Sequence, residues 1–586
     1  MSGAGTLILL LSGARRGTRT LGEPQLTRRF KTMQMAHLAR LARARHRPAQ
    51  SDGRAATVAR RSGLWPGLMP IAGWLGAALL VRCLTATLVS HPGYIDAYYS
   101  FHVATQVLSG HGLVEEVLWN YLSPPPALPR PSNAYWPPGT ALFVAAGSWL
   151  APSGLPAWRR AQLAPVLGAA LLVAGAYAMT RRLTRTPRQA HTVAGLLLFS
   201  GVYFPYWVTT DGFTPFALAG GICLWLATEL GSGRPAGRLA FGAGLSAGLA
   251  QAIRPDGLLL AVAPAVACAA GARRGGTRDL ARSWGLLAAG VLTGVTPWVA
   301  RNWLTYGSAT PPGAGAALWL RSYDELFAFA DLPSFARWWD TGLAAALEAR
   351  AGALWGNLGV IGQPLLYYAL PLAAIGAWRL RRRPLVWAPG AYLLCLYGVM
   401  SLLFPFQSVR GGTFHSLAAV LPFLLLWTVA GLDGVVSWAA ARRRWYEPQA
   451  QTVFATTLVA CGLLASAYFG TQLPAQWNRR LMAYYAVAAW LRAHDPGAAR
   501  VMVVDPPGFW YVSGRPGVVI PSDGFAALVG AAVQYDVTYL LLEPALPAYL
   551  APVYDGREVA PDLEHVTTIG AVQLYRLAPL SLPGVA

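Results

Sequence analysis

LWPGLMPIAGWLGAALLVRCLTATLV, residues 64–89, followed at once by SHPGYIDAYYS, residues 90–100, is the stretch that decides the fold. Its first part is long and apolar enough to cross a bilayer as one helix, since about 20 such residues span the hydrocarbon. Its second part breaks the helix at Pro92-Gly93 and opens a new one with a carboxylate, Asp96, in the first turn. A carboxylate there is favoured by the helix dipole. A membrane helix that delivers an acid to the bilayer surface is therefore the motif to follow outward.

Ten further apolar runs follow it, at roughly 161–180, 190–209, 215–230, 239–253, 258–271, 284–304, 358–378, 385–404, 414–437 and 452–470. The runs 215–230, 239–253 and 258–271 are shorter than the roughly 17 residues needed to span, so tilted or broken helices are expected there. The composition agrees with a polytopic α-helical membrane protein. Of 586 residues 55% are hydrophobic and 12% charged, against about 25% charged in soluble domains. With 23 Trp, 24 Tyr and 19 Phe, disorder is excluded as well.

The net charge of +22 comes almost wholly from arginine, Lys31 being the only lysine, and the arginines are placed as membrane topology requires rather than as a nucleic-acid surface. With the first helix leaving the cytoplasm, the inner loops hold Arg181, Arg182, Arg185 and Arg188, then Arg234 and Arg238, Arg273, Arg274, Arg278 and Arg282, Arg379 and Arg381 to Arg383, and Arg442 to Arg444. The short outer loops hold only Arg254 and Arg410. The positive-inside rule then puts the N-terminus in the cytoplasm and the C-terminus outside, in a multi-pass protein of the cell membrane.

Three regions follow from this. Residues 1–61 read as a basic cytoplasmic tail, disordered and attracted to anionic lipid, with Met33 or Met35 as alternative starts and no cleaved signal peptide. Residues 62–470 form the membrane region, with long outer segments at 90–160 and 301–357. Residues 471–586 change grammar: a helical 481–492, then Arg500–Asp505 and Gly517–Pro521 as strands, Gly524–Gln534 as a helix, and Val537–Glu543 and Gly570–Arg576 as strands, a small outer α/β domain. All five cysteines lie in apolar runs, so no disulfide framework is expected.

The residues that can carry chemistry lie at the outer ends of these runs. Asp96 shares a helical face with Tyr99 and Ser100, and is either a plain helix-start acid or a general base for an acceptor hydroxyl. Asp211, in Thr-Thr-Asp-Gly, is either an N-cap or a second site acid. Arg254 and Asp256, in Arg-Pro-Asp-Gly, read as an ion pair or as phosphate-binding groups, and Arg410 as a phosphate or lipid-headgroup contact. Arg301 is a weaker candidate. Glu115 and Glu116 read as solvated loop acids. The outer histidines His91, His102, His111 and His415 show no ligand spacing, so no metal is expected, and the absence of a Walker loop or dinucleotide fingerprint leaves no cofactor implied. Trp119, Tyr121, Tyr135 and Trp136 suit a sugar chamber or an ordinary interfacial aromatic belt. The short apolar stretch 140–150 suits an interfacial helix.

Taken in order, Asp-Ala-Tyr-Tyr, Tyr-Trp-Pro-Pro, Thr-Asp-Gly, Arg-Pro-Asp-Gly and Pro-Trp-x-x-Arg-Asn, together with the outer tail, resemble the GT-C membrane glycosyltransferases, in the family 39-like group of protein O-mannosyltransferases and lipid A aminoarabinose transferases. The resemblance covers most of the chain. It implies transfer of a sugar, with inversion, from a polyprenyl-phosphate carrier to an outer acceptor whose identity stays open. It makes Asp96 the base, Asp211 an orienting acid, and Arg254 and Arg410 the cations that receive the leaving phosphate. Relatives often carry a pair of acids at the first position, whereas here Ala97 follows Asp96, which argues against a metal requirement. A lipid-linked-sugar transporter is the rival reading. It would require charges midway through membrane helices and an inverted repeat, and neither is evident.

Overall fold

A computed structural model describes residues 65–233 and 236–577. The expected basic tail 1–61 lies outside the described residues. Seven helices among them are long and apolar enough to cross a membrane: Leu68–Leu88, Ala157–Thr184, Phe213–Gly231, Thr277–Tyr306, Pro384–Leu402, Leu421–Arg443 and Glu447–His494. An eighth span forms if Leu343–Leu365 and Leu370–Leu380, bent by 93°, are one crossing. The chain is a multi-pass helical membrane protein, but seven or eight such helices replace the expected eleven.

The difference has visible causes. The run 190–209 stops being an α-helix at Leu198 and continues as two short 3-10 turns. Buried Arg82, in the first membrane helix, donates to the carbonyls of Leu197 and Leu198 and so satisfies a helix end that would otherwise be orphaned. The run 258–271 is likewise a 3-10 turn, Gly257–Ala261, leading into Val262–Gly275. The run 358–378 folds back where Leu366 and Tyr367 both take positive φ.

Close packing rests on small residues. Helices Ala236–Ile253 and Thr277–Tyr306 each carry a Gly-x-x-x-Gly pair, Gly244 with Gly248 and Gly290 with Gly294. A Cβ on Gly244 would lie 2.1 Å from the Leu287 carbonyl and one on Gly290 2.1 Å from that of Phe241. Only glycine lets these backbones meet, the usual basis of helix association in lipid.

The tail folds into a sheet containing Arg500–Val503, Gly517–Val519, Val537–Leu542, Leu563–Ile569 and Val572–Leu577, with helices Pro506–Ser513 and Phe525–Gln534. The first three strands are parallel, with Arg500–Val503 in the middle, and the last two continue antiparallel. Val501, Met502, Val503 and Leu540 to Leu542 are fully buried, as expected of parallel strands covered on both faces. The sixth strand comes from elsewhere: Val117–Leu118, in the first outer segment, pairs in parallel with Gly517–Val518 as the sheet edge. The tail is thereby stitched to the segment that begins with Asp96. Its helix Pro506–Ser513 packs on Ile95–Leu108, with Tyr511 against Tyr98 and Phe101 and Trp510 edge-on to His102.

Candidate active site

The helix Ile95–Leu108 starts in the extended backbone of Tyr94 and holds Asp96 in its first turn. Thr210 donates to the Ala97 carbonyl at 2.7 Å, which fastens the loop carrying Asp211 to that same turn. The two acids, 115 positions apart in the chain, become neighbours in this way. Asp211 is buried, accepts from the Gly212 amide at 2.5 Å and from the Tyr94 hydroxyl at 2.7 Å, and meets His415 Nε2 at 2.7 Å. His415 Nε2 lies 3.8 Å from the Asp96 carboxylate.

His415 is held by a kink. Arg410 and Gly411 interrupt the helical path, Gly411 at φ 129°, a conformation that favours glycine. The freed Gly411 carbonyl accepts from His415 Nδ1 at 2.7 Å, and the imidazole stacks on Phe213 with centroids 4.1 Å apart. With a carbonyl on one nitrogen and a carboxylate on the other, both nitrogens donate, which is the imidazolium form. The charges agree. Asp211 lifts the His415 pKa despite burial, and His415 holds Asp211 below the ordinary carboxylate range. Asp96 behaves oppositely: burial, reinforced by the Asp211 charge and only partly offset by His415 and Arg254, raises it to about 7.

Arg254 completes the cluster. Its Nε reaches Asp256 at 3.1 Å and Ser416 Oγ at 3.3 Å, and its Nη2 reaches the Gly412 carbonyl at 3.3 Å. Asp256 is in turn bonded by Ser416. The Arg-Pro-Asp-Gly turn is thus an ion pair whose arginine also borders the cavity at the acids. Asp96, Tyr99, Trp136, Asp211 and Arg254 line one cavity of about 20 Å³, room for about one water.

The other expected residues divide. Tyr99 lines the cavity, and its hydroxyl is bonded to Glu115. Trp119 stands one layer back, stacked on Trp136 at 3.9 Å. Tyr135 packs edge-on to Trp119 at 5.2 Å, and burial raises its pKa, which Asp96 and Arg254 also influence. Arg410 is exposed at the rim, its guanidinium 5.3 Å from the ring centre of Tyr323. Tyr323, from the second outer segment, sits close enough that burial and the Asp96 charge push its pKa up to about 12. The remaining two candidates are placed elsewhere. Tyr121 is fully buried in the tail core, donating to the Val519 carbonyl at 2.5 Å, because the pairing of Val117–Leu118 carries it there. Arg301 is spent on the Ser132 carbonyl, 2.5 Å away, and on the faces of Trp298 and Tyr306. Glu115 is not a solvated loop acid: it is fully buried, paired with Arg130 and bonded by Tyr99.

Sequence reading passed over Tyr94, Tyr323 and Ser416, and gave His415 no role. His415 lies five residues beyond Arg410 in the chain, but only the kink turns it toward the acids. One oxygen from each of Asp96 and Asp211 and one nitrogen of His415 lie within 4.8 Å of one another, a donor set that can also hold a divalent ion. A cation and the His415–Asp211 hydrogen bond would use the same Nε2 atom, so the two arrangements exclude each other.

The fold is GT-C-like, a polytopic helical membrane region with the acids just beyond helix ends and an α/β tail packed on the helix that carries Asp96. Two solved structures have the same fold. ArnT from Cupriavidus metallidurans bound to undecaprenyl phosphate aligns at TM-score 0.56 and 14% identity, over 88% of this chain and 100% of that one. The apo form of the same protein aligns at TM-score 0.55 and 14% identity, over 88% and 99%. The Archaeoglobus fulgidus oligosaccharyltransferase in complex with Zn and sulfate aligns at TM-score 0.48 and 12% identity, over 80% and 67%. No family model and no curated protein sequence matches the chain.

Proposed function

We propose that the protein is a membrane glycosyltransferase that moves a sugar from a polyprenyl-phosphate carrier to an acceptor on the extracytoplasmic side. The observation that carries this is the convergence of Asp96, Asp211 and Arg254 on one cavity just beyond the ends of membrane helices, with His415 against both acids. Support comes also from the fold shared with ArnT, whose solved structure holds undecaprenyl phosphate. Asp96 takes the proton of an acceptor hydroxyl as that oxygen attacks the anomeric carbon from the face opposite the carrier. The bond from the anomeric carbon to the phosphate oxygen breaks, its electron pair leaving with the carrier phosphate, and the product is inverted.

Each residue has a physical reason for its part. A base works best with a pKa near the working pH, and Asp96 at about 7 meets that condition. Arg254 uses Nε and Nη2 within the protein, and Nη1 has no bond among the described residues, leaving it for a phosphate oxygen. Arg410 at the rim can add a second cation as negative charge develops on the leaving group. Asp211 orients His415, whose positive charge balances the two acids. Tyr99 and Trp136, which line the cavity, offer ring faces to a sugar, with Tyr135 packed against Trp136. The arginine asymmetry supports an outward-facing site, with the N-terminus inside and the tail outside.

The test incubates purified full-length protein in lipid vesicles with a panel of polyprenyl-phosphate sugars and measures release of the free carrier. Wild type should release it from at least one donor. Asp96→Asn should lower turnover by about 100-fold or more while still binding undecaprenyl phosphate. Unchanged turnover in Asp96→Asn would remove the base from the scheme.

A further inference from the structure

A second cavity, larger than the one at the acids, lies along the Asp96 helix. It has a volume of about 360 Å³ and opens between Ile95–Leu108, Gly139–Leu150 and the short helix Ala157–Ala161. That is within the range of small-ligand sites, roughly 300 to 1,000 Å³. Its wall is mixed: Phe101, Val144 and Trp149 on the apolar side, Thr105, Ser148 and Arg160 on the polar side. No acidic residue lines it.

Arg160, which lines it, differs from its chain neighbour Arg159. Arg159 is consumed by the protein, donating to the carbonyls of Ala86 and Val89 and to the Gln162 side chain. The Arg160 side chain makes no hydrogen bond or ion pair among the described residues, and its buried Nε meets no acceptor. A buried guanidinium nitrogen without an acceptor is costly, and a cavity that offers room and no counter-charge directs that cost toward binding an anion. Around the mouth the surface is apolar and open. Trp149 is 77% exposed and Leu150 68%, with Leu108 and Leu142 also exposed. An exposed apolar rim beside an interfacial helix belongs against acyl chains.

We infer that this cavity binds the headgroup of an anionic phospholipid, the phosphate on Arg160 and the serine hydroxyl of Ser148, the chains lying over Leu108, Trp149 and Leu150. The site is separate from the acid cluster. Thr105 is nine residues along the helix from Asp96, about 13 Å of rise and half a turn around the axis. A lipid seated there braces the helix that carries Asp96 from its far side.

The test uses detergent-purified full-length protein and native mass spectrometry, titrating phosphatidylglycerol against phosphatidylcholine of the same chains. Wild type should bind one phosphatidylglycerol at least about tenfold more tightly than phosphatidylcholine, as one charge-assisted contact allows. Arg160→Gln should abolish that preference and Arg160→Lys keep part of it. Ala104→Trp, which fills the cavity without touching the charge, should block binding of both lipids at this site. Carrier release by the same preparations is read in parallel, so that loss of lipid selectivity with turnover retained is separable from failure of the glycosyltransferase reading. Equal binding of the two lipids by wild type overturns the inference, as does undiminished selectivity in Arg160→Gln. Inorganic phosphate displacing the lipid headgroup while short-chain phosphatidylglycerol cannot would overturn the lipid assignment in favour of a free anion.

Discussion

Replacing His415 by Gln tests the electrostatic core of the site. The wild-type cluster holds two carboxylates and one imidazolium, with His415 Nε2 3.8 Å from Asp96 and 2.7 Å from Asp211. At 3.8 Å and an effective dielectric near 20, a unit charge is worth about 4 kcal/mol to a carboxylate, roughly three pKa units at most. Glutamine can still donate to Asp211 but brings no charge. The acids then face one another as a pair without their cation, and the upper apparent pKa of such a pair rises. The sign is therefore fixed. Asp96, already lifted to about 7, moves up further, and the acid limb of kcat/KM for carrier release shifts to above about pH 8. Because the base must be ionised, activity at neutral pH falls roughly fivefold or more and returns as the pH is raised. The assay is the initial rate of carrier release across pH 5 to 10 at limiting donor, with thermal melting as the folding control. An acid limb that stays near neutrality, or moves downward, in a folded His415→Gln protein refutes the charge assignment.

Three further outcomes follow from the same geometry. Arg254→Gln removes the charged donor proposed for the carrier phosphate, so undecaprenyl phosphate binding should weaken by about tenfold or more and KM for the donor rise; unchanged binding in a titration would show that the arginine only holds Asp256. Glu115→Gln leaves Arg130 buried without its counter-ion and should cost roughly 3 to 5 kcal/mol, read as a large fall in melting temperature, whereas a solvated acid would cost nothing measurable. Excess EDTA should leave the rate unchanged, since the His415–Asp211 pair occupies the donor set; a loss restored by added zinc or manganese would put a metal centre in place of the ion pair.

The sequence made some of this visible because of where charge is permitted in a membrane protein. Asp96, Asp211 and Arg254 stand out as ionisable groups just beyond apolar runs, where an unpaired charge is unfavourable unless it is paired or used. Their convergence is then enforced by single contacts, such as Thr210 on the Ala97 carbonyl, that no local pattern announces. The failures share one cause, long-range contacts overriding local character. Apolar content alone made 190–209 a span, yet the helix ends at Leu198, where Arg82, more than 100 residues earlier, donates to its last carbonyls. Tyr121 and Trp136 were equally good aromatic candidates by composition. They were separated by the edge pairing of Val117–Leu118 with Gly517–Val518, which carries Tyr121 into the tail core and leaves Trp136 facing the cavity. That pairing also explains why the tail belongs to the site physically. The helix Pro506–Ser513 and the edge strand grip both ends of the segment that begins at Asp96, through Tyr511 on Phe101 and Trp510 on Glu116. A helix carrying an acid whose pKa depends on a neighbour within 4 Å tolerates little displacement. Fixing it between the membrane helices and a sheet gives the rigidity that the electrostatics require.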